Sequence, residues 1–217
     1  MTIARLALAT LAVKTRRLKG NVMAYRTIGA LTFGAALALL AAAGPTVAQD
    51  GAPRWVVDPA KSAIDFESSA EGAAFEGHFD RWTANIRFDP KNLGASKVTV
   101  EVETGSVGTG DSGRDQSAQG SDWFASTMFP KATFTTRAIK DLGGGKYEAD
   151  GDLTIRNKSV PLALPFTLAF KGDEADMHSE VDVDRSLWSL GTGEYGGADI
   201  VPLKVGLKID VVAHLAK

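Results

Sequence analysis

The chain has no cysteine among its 217 residues. Disulfides, thiolate metal sites and a cysteine nucleophile are therefore excluded, and the fold must hold by packing alone. Histidine is nearly as scarce. His78, His178 and His214 are scattered, without the i, i+2 or i, i+4 partners of a metal site, and His178 and His214 fall at polar-face positions of alternating segments. Long apolar runs are missing too. The longest candidate, residues 28–43, covers 16 positions, short of the ~20 that a membrane-spanning helix needs.

That run sits in a segment, residues 1–48, that holds Arg5, Lys14, Arg16, Arg17, Lys19 and Arg26 and no acid. The pattern reads as a signal peptide, with Pro45 breaking the run and Thr46 and Ala48 supplying small residues before cleavage at Gln49. Met23 opens a compact signal of its own and is an alternative start. Residues 15–19 (T-R-R-L-K) offer a twin-arginine address as an alternative export route. Removing residues 1–48 leaves 169 residues with 18 basic and 26 acidic side chains, a charge of −8 with histidine neutral. Such a surface repels phosphate backbones, which argues against nucleic acid as a partner. A chain of this length fits one domain and can bury a core without disulfides.

Helical periodicity is also missing from residues 49–217, where period-two alternation dominates instead. Trp82, Ala84, Ile86 and Phe88 share one face against Arg81, Thr83, Asn85 and Arg87. Val98, Val100 and Val102 do so against Thr99, Glu101 and Glu103. Leu162, Leu164, Phe166, Leu168 and Phe170 form a third apolar series, and Val205, Leu207, Ile209 and Val211 a fourth. Further strands are expected near 54–58, 61–68, 73–79, 131–140, 145–156 and 176–184, which gives eight to ten antiparallel strands joined at hairpin spacing. Alternation alone leaves a sandwich and a closed barrel equally open. Residues 108–129 break the pattern, and a short helix or irregular crossover that includes Trp123 and Phe124 is expected there.

Two motifs in that stretch carry less than they promise. Residues 108–113 read G-T-G-D-S-G and satisfy G-x-G-x-x-G, but no βαβ unit surrounds them and Asp111 and Asp115 would face a pyrophosphate. A flexible turn explains them better. Residues 110–113 also resemble the segment around a protease serine, yet His78 is the only upstream base and its surroundings do not fit a triad. Asp182 and Asp184 alternate with Val181 and Val183, as a solvated strand face would. The chemically informative residues are instead apolar. If the domain is a small barrel, Phe66, Phe79, Trp82, Ile86, Phe88, Val100 and Val102 from the first half would line its interior. Trp123, Phe124, Phe134, Phe166, Phe170, Trp188 and Leu207 would do so from the second. On that reading, enlarging Ala84 or Ala132 to Trp should block the interior without harming the fold.

Several segments, taken in order, resemble the YceI-like family. They are Gly77-His78-Phe79 with Trp82; Ser106-Val107-Gly108-Thr109 leading to Arg114-Asp115; Ser121-Asp122-Trp123-Phe124; Phe129-Pro130-Lys131-Ala132-Thr133-Phe134; Gly151-Asp152-Leu153-Thr154-Ile155 with Pro161; and Arg185 with Trp188 and Gly191. The resemblance implies an all-β fold over residues 49–217, an extended antiparallel eight-stranded lipocalin-like barrel with a short helical crossover. It implies a periplasmic, non-enzymatic protein that binds, transports or sequesters a long isoprenoid lipid such as a polyprenyl quinone. No cofactor or metal beyond that ligand is implied. The alternative is an interaction or regulatory partner of a membrane b-type cytochrome, and a homodimer is left open. Three positions depart from the family pattern: Gln116-Ser117-Ala118 where a His-Leu pair usually follows, Arg156-Asn157 where Gly is usual, and Lys61-Ser62 where His-Ser is typical.

Overall fold

The computed structural model describes residues 51–217. The targeting segment expected over residues 1–48, with its alternative start at Met23, lies outside the described residues. Eleven strand segments and one α-helix follow in order: β1 (Arg54–Val57), β2 (Ala63–Ala70), β3 (Ala73–Phe79), β4 (Trp82–Arg87), β5 (Lys97–Glu103), β6 (Val107–Gly108), α1 (Ser112–Gln119), β7 (Lys131–Gly143), β8 (Lys146–Ile155), β9 (Lys158–Lys171), β10 (Glu174–Asp184) and β11 (Lys204–Leu215). Every pairing is antiparallel.

The ring runs β1-β4-β5-β7-β8-β9-β10-β11 and closes where Trp55 of β1 pairs with Leu215 of β11. Eight strand positions thus form a barrel. The count of segments is higher because three positions are each occupied by two pieces of chain. β1 lies against residues 213–215 of β11, while β2 lies against 206–210. β3 then pairs with β2, and β6 with β3, continuing the wall above β4 and β5. Small hydroxyl side chains repair the breaks between these pieces. Ser106 Oγ accepts from Arg81 N, and Thr104 Oγ1 donates to Phe129 O; both residues are buried. Ser62 Oγ donates to Asp58 O and accepts from Val212 N. Each satisfies backbone groups that a straight ladder would have paired.

Between β9 and β10 the ladder stops at Thr167↔His178, although both strands continue toward the α1 end of the barrel. Pro165, the second β9 residue beyond the stop, has no N–H to donate. The two strands separate there, tied by Ser179 Oγ donating to Pro165 O. A 3-10 helix, Arg185–Trp188, leads into the segment that packs beside this gap. Trp188 and Leu190 are buried there with Ala132 and Ile155, and Trp188 Nε1 donates to Leu153 O.

The irregular crossover expected over residues 108–129 is present, with one short helix ahead of Trp123 and Phe124. α1 ends at Gln119, with Gly120 as its cap, so Trp123 and Phe124 fall in the turns that follow rather than in the helix. Phe124 N donates to Ala118 O and Ala125 takes a left-handed φ of 47°. The chain doubles back under α1, which aims both aromatic rings at the interior. The Gly-rich motif is closed on itself: Asp111 caps α1 by accepting from Arg114 N, and Asp115 accepts from both Thr109 N and Thr109 Oγ1. No parallel strand follows, because β6 pairs antiparallel with β3.

Candidate functional site: a lined apolar lumen

Side chains of alternate residues on all eight strand positions point into one cavity of about 530 Å³, within the ~300–1,000 Å³ range of small-molecule sites. Its wall is almost entirely apolar. Along β4 the inward residues Trp82, Ala84 and Ile86 are half-buried while Thr83, Asn85 and Arg87 are exposed. Val98, Val100 and Val102 of β5 and Phe134 of β7 are likewise only half-buried although they face inward. A filled barrel core would bury such residues fully. Their residual exposure is to the lumen.

Aromatic rings close one end. Trp55 is buried with its Nε1 donating to Phe88 O at 3.0 Å, and its ring lies 5.6 Å from that of Phe170. Phe88 meets Tyr147 edge-on at 5.6 Å, and Tyr147 stacks on Phe166 at 5.3 Å. These contacts tie β1, β4, β8 and β9 together as a floor. Burial, with the nearby Asp141 carboxylate, pushes the Tyr147 hydroxyl above its ordinary pKa, so it stays neutral there. At the other end Phe66 contacts Phe79 at 5.7 Å, and Phe79 contacts Phe124 at 5.7 Å, a chain of rings that leads to the mouth.

Two glycines keep the lumen open. Gly77 pairs directly with Phe66, and a Cβ there would overlap the Phe66 ring. A Cβ at Gly151 would lie 2.6 Å from Phe134 Cζ. In each case the ring lies flat over a bare stretch of neighbouring backbone instead of projecting into the lumen. This is the one role for which these positions require glycine.

The mouth is covered in part by residues 185–203, organised around Arg185. Arg185 is 2% exposed, and its guanidinium donates to six backbone carbonyls, those of Leu190, Gly191, Tyr195, Gly197, Val201 and Pro202. It also lies 5.0 Å from the centre of the Trp123 ring. Burial lowers its pKa from the ordinary arginine value, with Asp184 opposing the shift, but the group remains cationic. Gly191 has a φ of +76°, and a Cβ there would overlap the guanidinium.

Residues 55–213 match the YceI-like domain. The chain belongs to the YceI-like family. It is similar to a UPF0312 protein of Pseudomonas savastanoi pv. phaseolicola, 31% identical over 157 residues that cover 71% of this chain and 77% of that one. A UPF0312 protein of Vibrio vulnificus is 34% identical over 113 residues, which cover 51% of this chain and 60% of the Vibrio protein. The chain therefore spans less than two thirds of the length of those Vibrio relatives. Among solved structures, BcnA of Burkholderia cenocepacia is 32% identical with a TM-score of 0.69, covering 72% of this chain and 98% of that one. A polyisoprenoid binding domain from Saccharophagus degradans, 14% identical with a TM-score of 0.61, shares the fold over 76% of this chain and 99% of its own.

Within this YceI-like barrel, the fourteen apolar residues singled out from the sequence all lie on the wall of the one cavity. Sequence reasoning missed Trp55, although it lay in an expected strand, and it gave Arg114 no role at the cavity. The departures from the family pattern are structurally distinct. Ser117 and Ala118 face the cavity. Arg156 and Asn157 form the two-residue β8–β9 turn with φ of 50° and 58°, the conformation in which glycine costs nothing. Lys61 is exposed and pairs with Glu174 at 3.2 Å. His178 is half-buried on the outer face, paired to Asp210 at 2.7 Å, and His78 is paired to Asp80 at 3.2 Å. Neither lines the cavity.

Proposed function

We propose that this protein binds a long isoprenoid lipid in its lumen, a polyprenyl quinone in the first instance, and carries or sequesters it in the periplasm. The observation that carries this reading is a continuous apolar cavity running from the aromatic floor to the mouth of a closed barrel. Hydrocarbon transferred into such a space leaves water at ~25 cal/mol per Å² of apolar surface, and closure of the ring through the β1–β11 pairing satisfies strand edges that an open sheet would leave. The Saccharophagus domain that shares the fold is described as polyisoprenoid binding, which supports the same ligand class here. The lining chemistry favours binding over catalysis. Among the described residues its one carboxylate is Glu71, its two cations are Arg114 and Arg185, and no histidine, aspartate or lysine lines the cavity. On the outer face, acids are paired with bases at several places, as in Lys140 with Glu148 and Asp150 and Lys131 with Glu101.

All four tryptophans, Trp55, Trp82, Trp123 and Trp188, line the cavity, so a bound quinone should quench nearly all tryptophan emission. Delipidated protein titrated with a long-tailed ubiquinone is expected to show saturable quenching at one ligand per chain. Equal quenching by a short-tailed quinone with the same ring would contradict the reading, because the tail would then contribute nothing.

A further inference from the structure

Ser68 of β2 and Arg114 of α1 both line the cavity, and both hold unspent hydrogen-bond donors. Ser68 Oγ is buried and has no partner among the described residues. Directly opposite Ser68 in the β2–β3 ladder stands Phe75, and the Arg114 guanidinium lies over the Phe75 ring at 4.2 Å. Ser68, Phe75 and Arg114 therefore meet at one place near the mouth. The Arg114 side chain makes no ion pair or hydrogen bond among the described residues; only its backbone N–H is engaged, by Asp111. A buried hydroxyl left without a partner is costly unless something supplies one, and the half-buried Arg114 guanidinium beside it has donors free to take an acceptor. Three other polar groups of the cavity are committed: Thr136 to the backbone of Val98, Thr109 to Asp115, and Arg185 to its carbonyls.

We infer that Ser68 and Arg114 together read the head of the lipid, and that the head is a neutral hydrogen-bond acceptor such as a ring or chain carbonyl. This rests on the lipid-binding reading above and adds to it an orientation, head at the mouth and tail toward the floor. Neutrality follows from charge. Glu71 lines the same cavity just beyond the end of β2, and the donors of Arg185, the other cation on the wall, are already taken by backbone carbonyls, so Arg114 has one acid on the same wall and no second free guanidinium with which to clamp a phosphate. The Phe75 ring fixes the Arg114 plane by cation–π stacking, which limits the entropy lost when the guanidinium captures an acceptor.

The test uses delipidated protein expressed from the full chain, with three probes: a long-tailed ubiquinone, squalene as an isoprenoid without an acceptor, and a polyprenyl phosphate. Arg114→Met keeps the stem over Phe75 and removes the donors, and Ser68→Ala removes the hydroxyl. Both should leave the thermal midpoint unchanged. Quinone affinity is expected to fall ~10-fold or more in the first and ~3- to 10-fold in the second, as for the loss of one hydrogen bond each, while squalene affinity stays within ~2-fold. Arg114→Lys should restore part of the quinone affinity. Equal losses for quinone and squalene, or no loss for either, would overturn the role of these residues. A polyprenyl phosphate that outcompetes quinone in the wild type would overturn the neutral head. Failure of the wild type to bind both quinone and squalene would instead defeat the lipid-binding reading itself.

Discussion

Arg185→Met is expected to cost about 3–5 kcal/mol and to release residues 189–203 from the mouth of the barrel. The buried guanidinium is surrounded by carbonyl oxygens rather than by a carboxylate, so its charge is solvated by backbone dipoles of one irregular segment. Apart from Arg185, that segment is held by a short 3-10 helix, Gly193–Tyr195, and by backbone bonds from Gly191 and Thr192 to Asp122 O and from Glu71 N to Ile200 O. Methionine fills the stem but leaves the carbonyls of Tyr195, Gly197 and Val201 without their Nη2 donor. Trp188 and Leu190 then lose the cover that buries them. Lysine keeps the charge but presents a compact ammonium in place of a planar fork, and should rescue little. Gly191→Ala should act through the same site, because its Cβ would overlap the guanidinium and its φ of +76° is unfavourable for alanine. Urea denaturation gives the loss of stability, and amide exchange locates it. A loss below about 1 kcal/mol with unchanged protection over 189–203 would contradict this account.

A second large effect separates a hollow barrel from a packed one. Ala84→Trp should abolish binding of a long-tailed quinone while leaving the delipidated protein at least as stable as wild type. Ala84 lies on β4 opposite Val100, half-buried, with its methyl facing the lumen. An indole there fills space that is empty when ligand is absent. Ala132 provides the opposite control and corrects the expectation that the two alanines are equivalent. It is 8% exposed and packed in the cluster that buries Trp188 and Leu190. Ala132→Trp should overpack that cluster at about 1–3 kcal/mol. Thermal midpoints of the two delipidated variants, measured beside quinone titrations, check both statements. Equal destabilisation by the two substitutions would mean that the wall around Ala84 is solid.

What could be read from the sequence follows from how local each signal is. Alternation placed Trp82 to Phe88, Val98 to Val102 and Leu162 to Phe170 on inward faces, because side-chain direction in a strand depends only on neighbours two residues away. Closure was not readable from it: the decisive pairing joins Trp55 to Leu215, at opposite ends of the domain, and alternation is identical in a sandwich. The resemblance to a family supplied the barrel instead. The places of Gly77 and Gly151 needed the cross-strand register that sets Phe66 and Phe134 beside them. Arg185, Trp188 and Gly191 stood together in the family pattern without a visible reason. The structure supplies one, since the acceptors of Arg185 are backbone carbonyls and carry no side-chain signal. Arg114 and Ser68 were invisible for a related cause: a missing partner can be seen only once every neighbour is placed.

The most direct test of the central claim is native mass spectrometry of the protein purified, without detergent or added lipid, from the cells that make it. The account predicts one adduct of several hundred daltons per chain that is extracted into organic solvent, absorbs as a quinone, and is missing from Ala84→Trp prepared in parallel. A wild-type chain of bare polypeptide mass, which also fails to take up a long-tailed quinone when one is supplied, would contradict it.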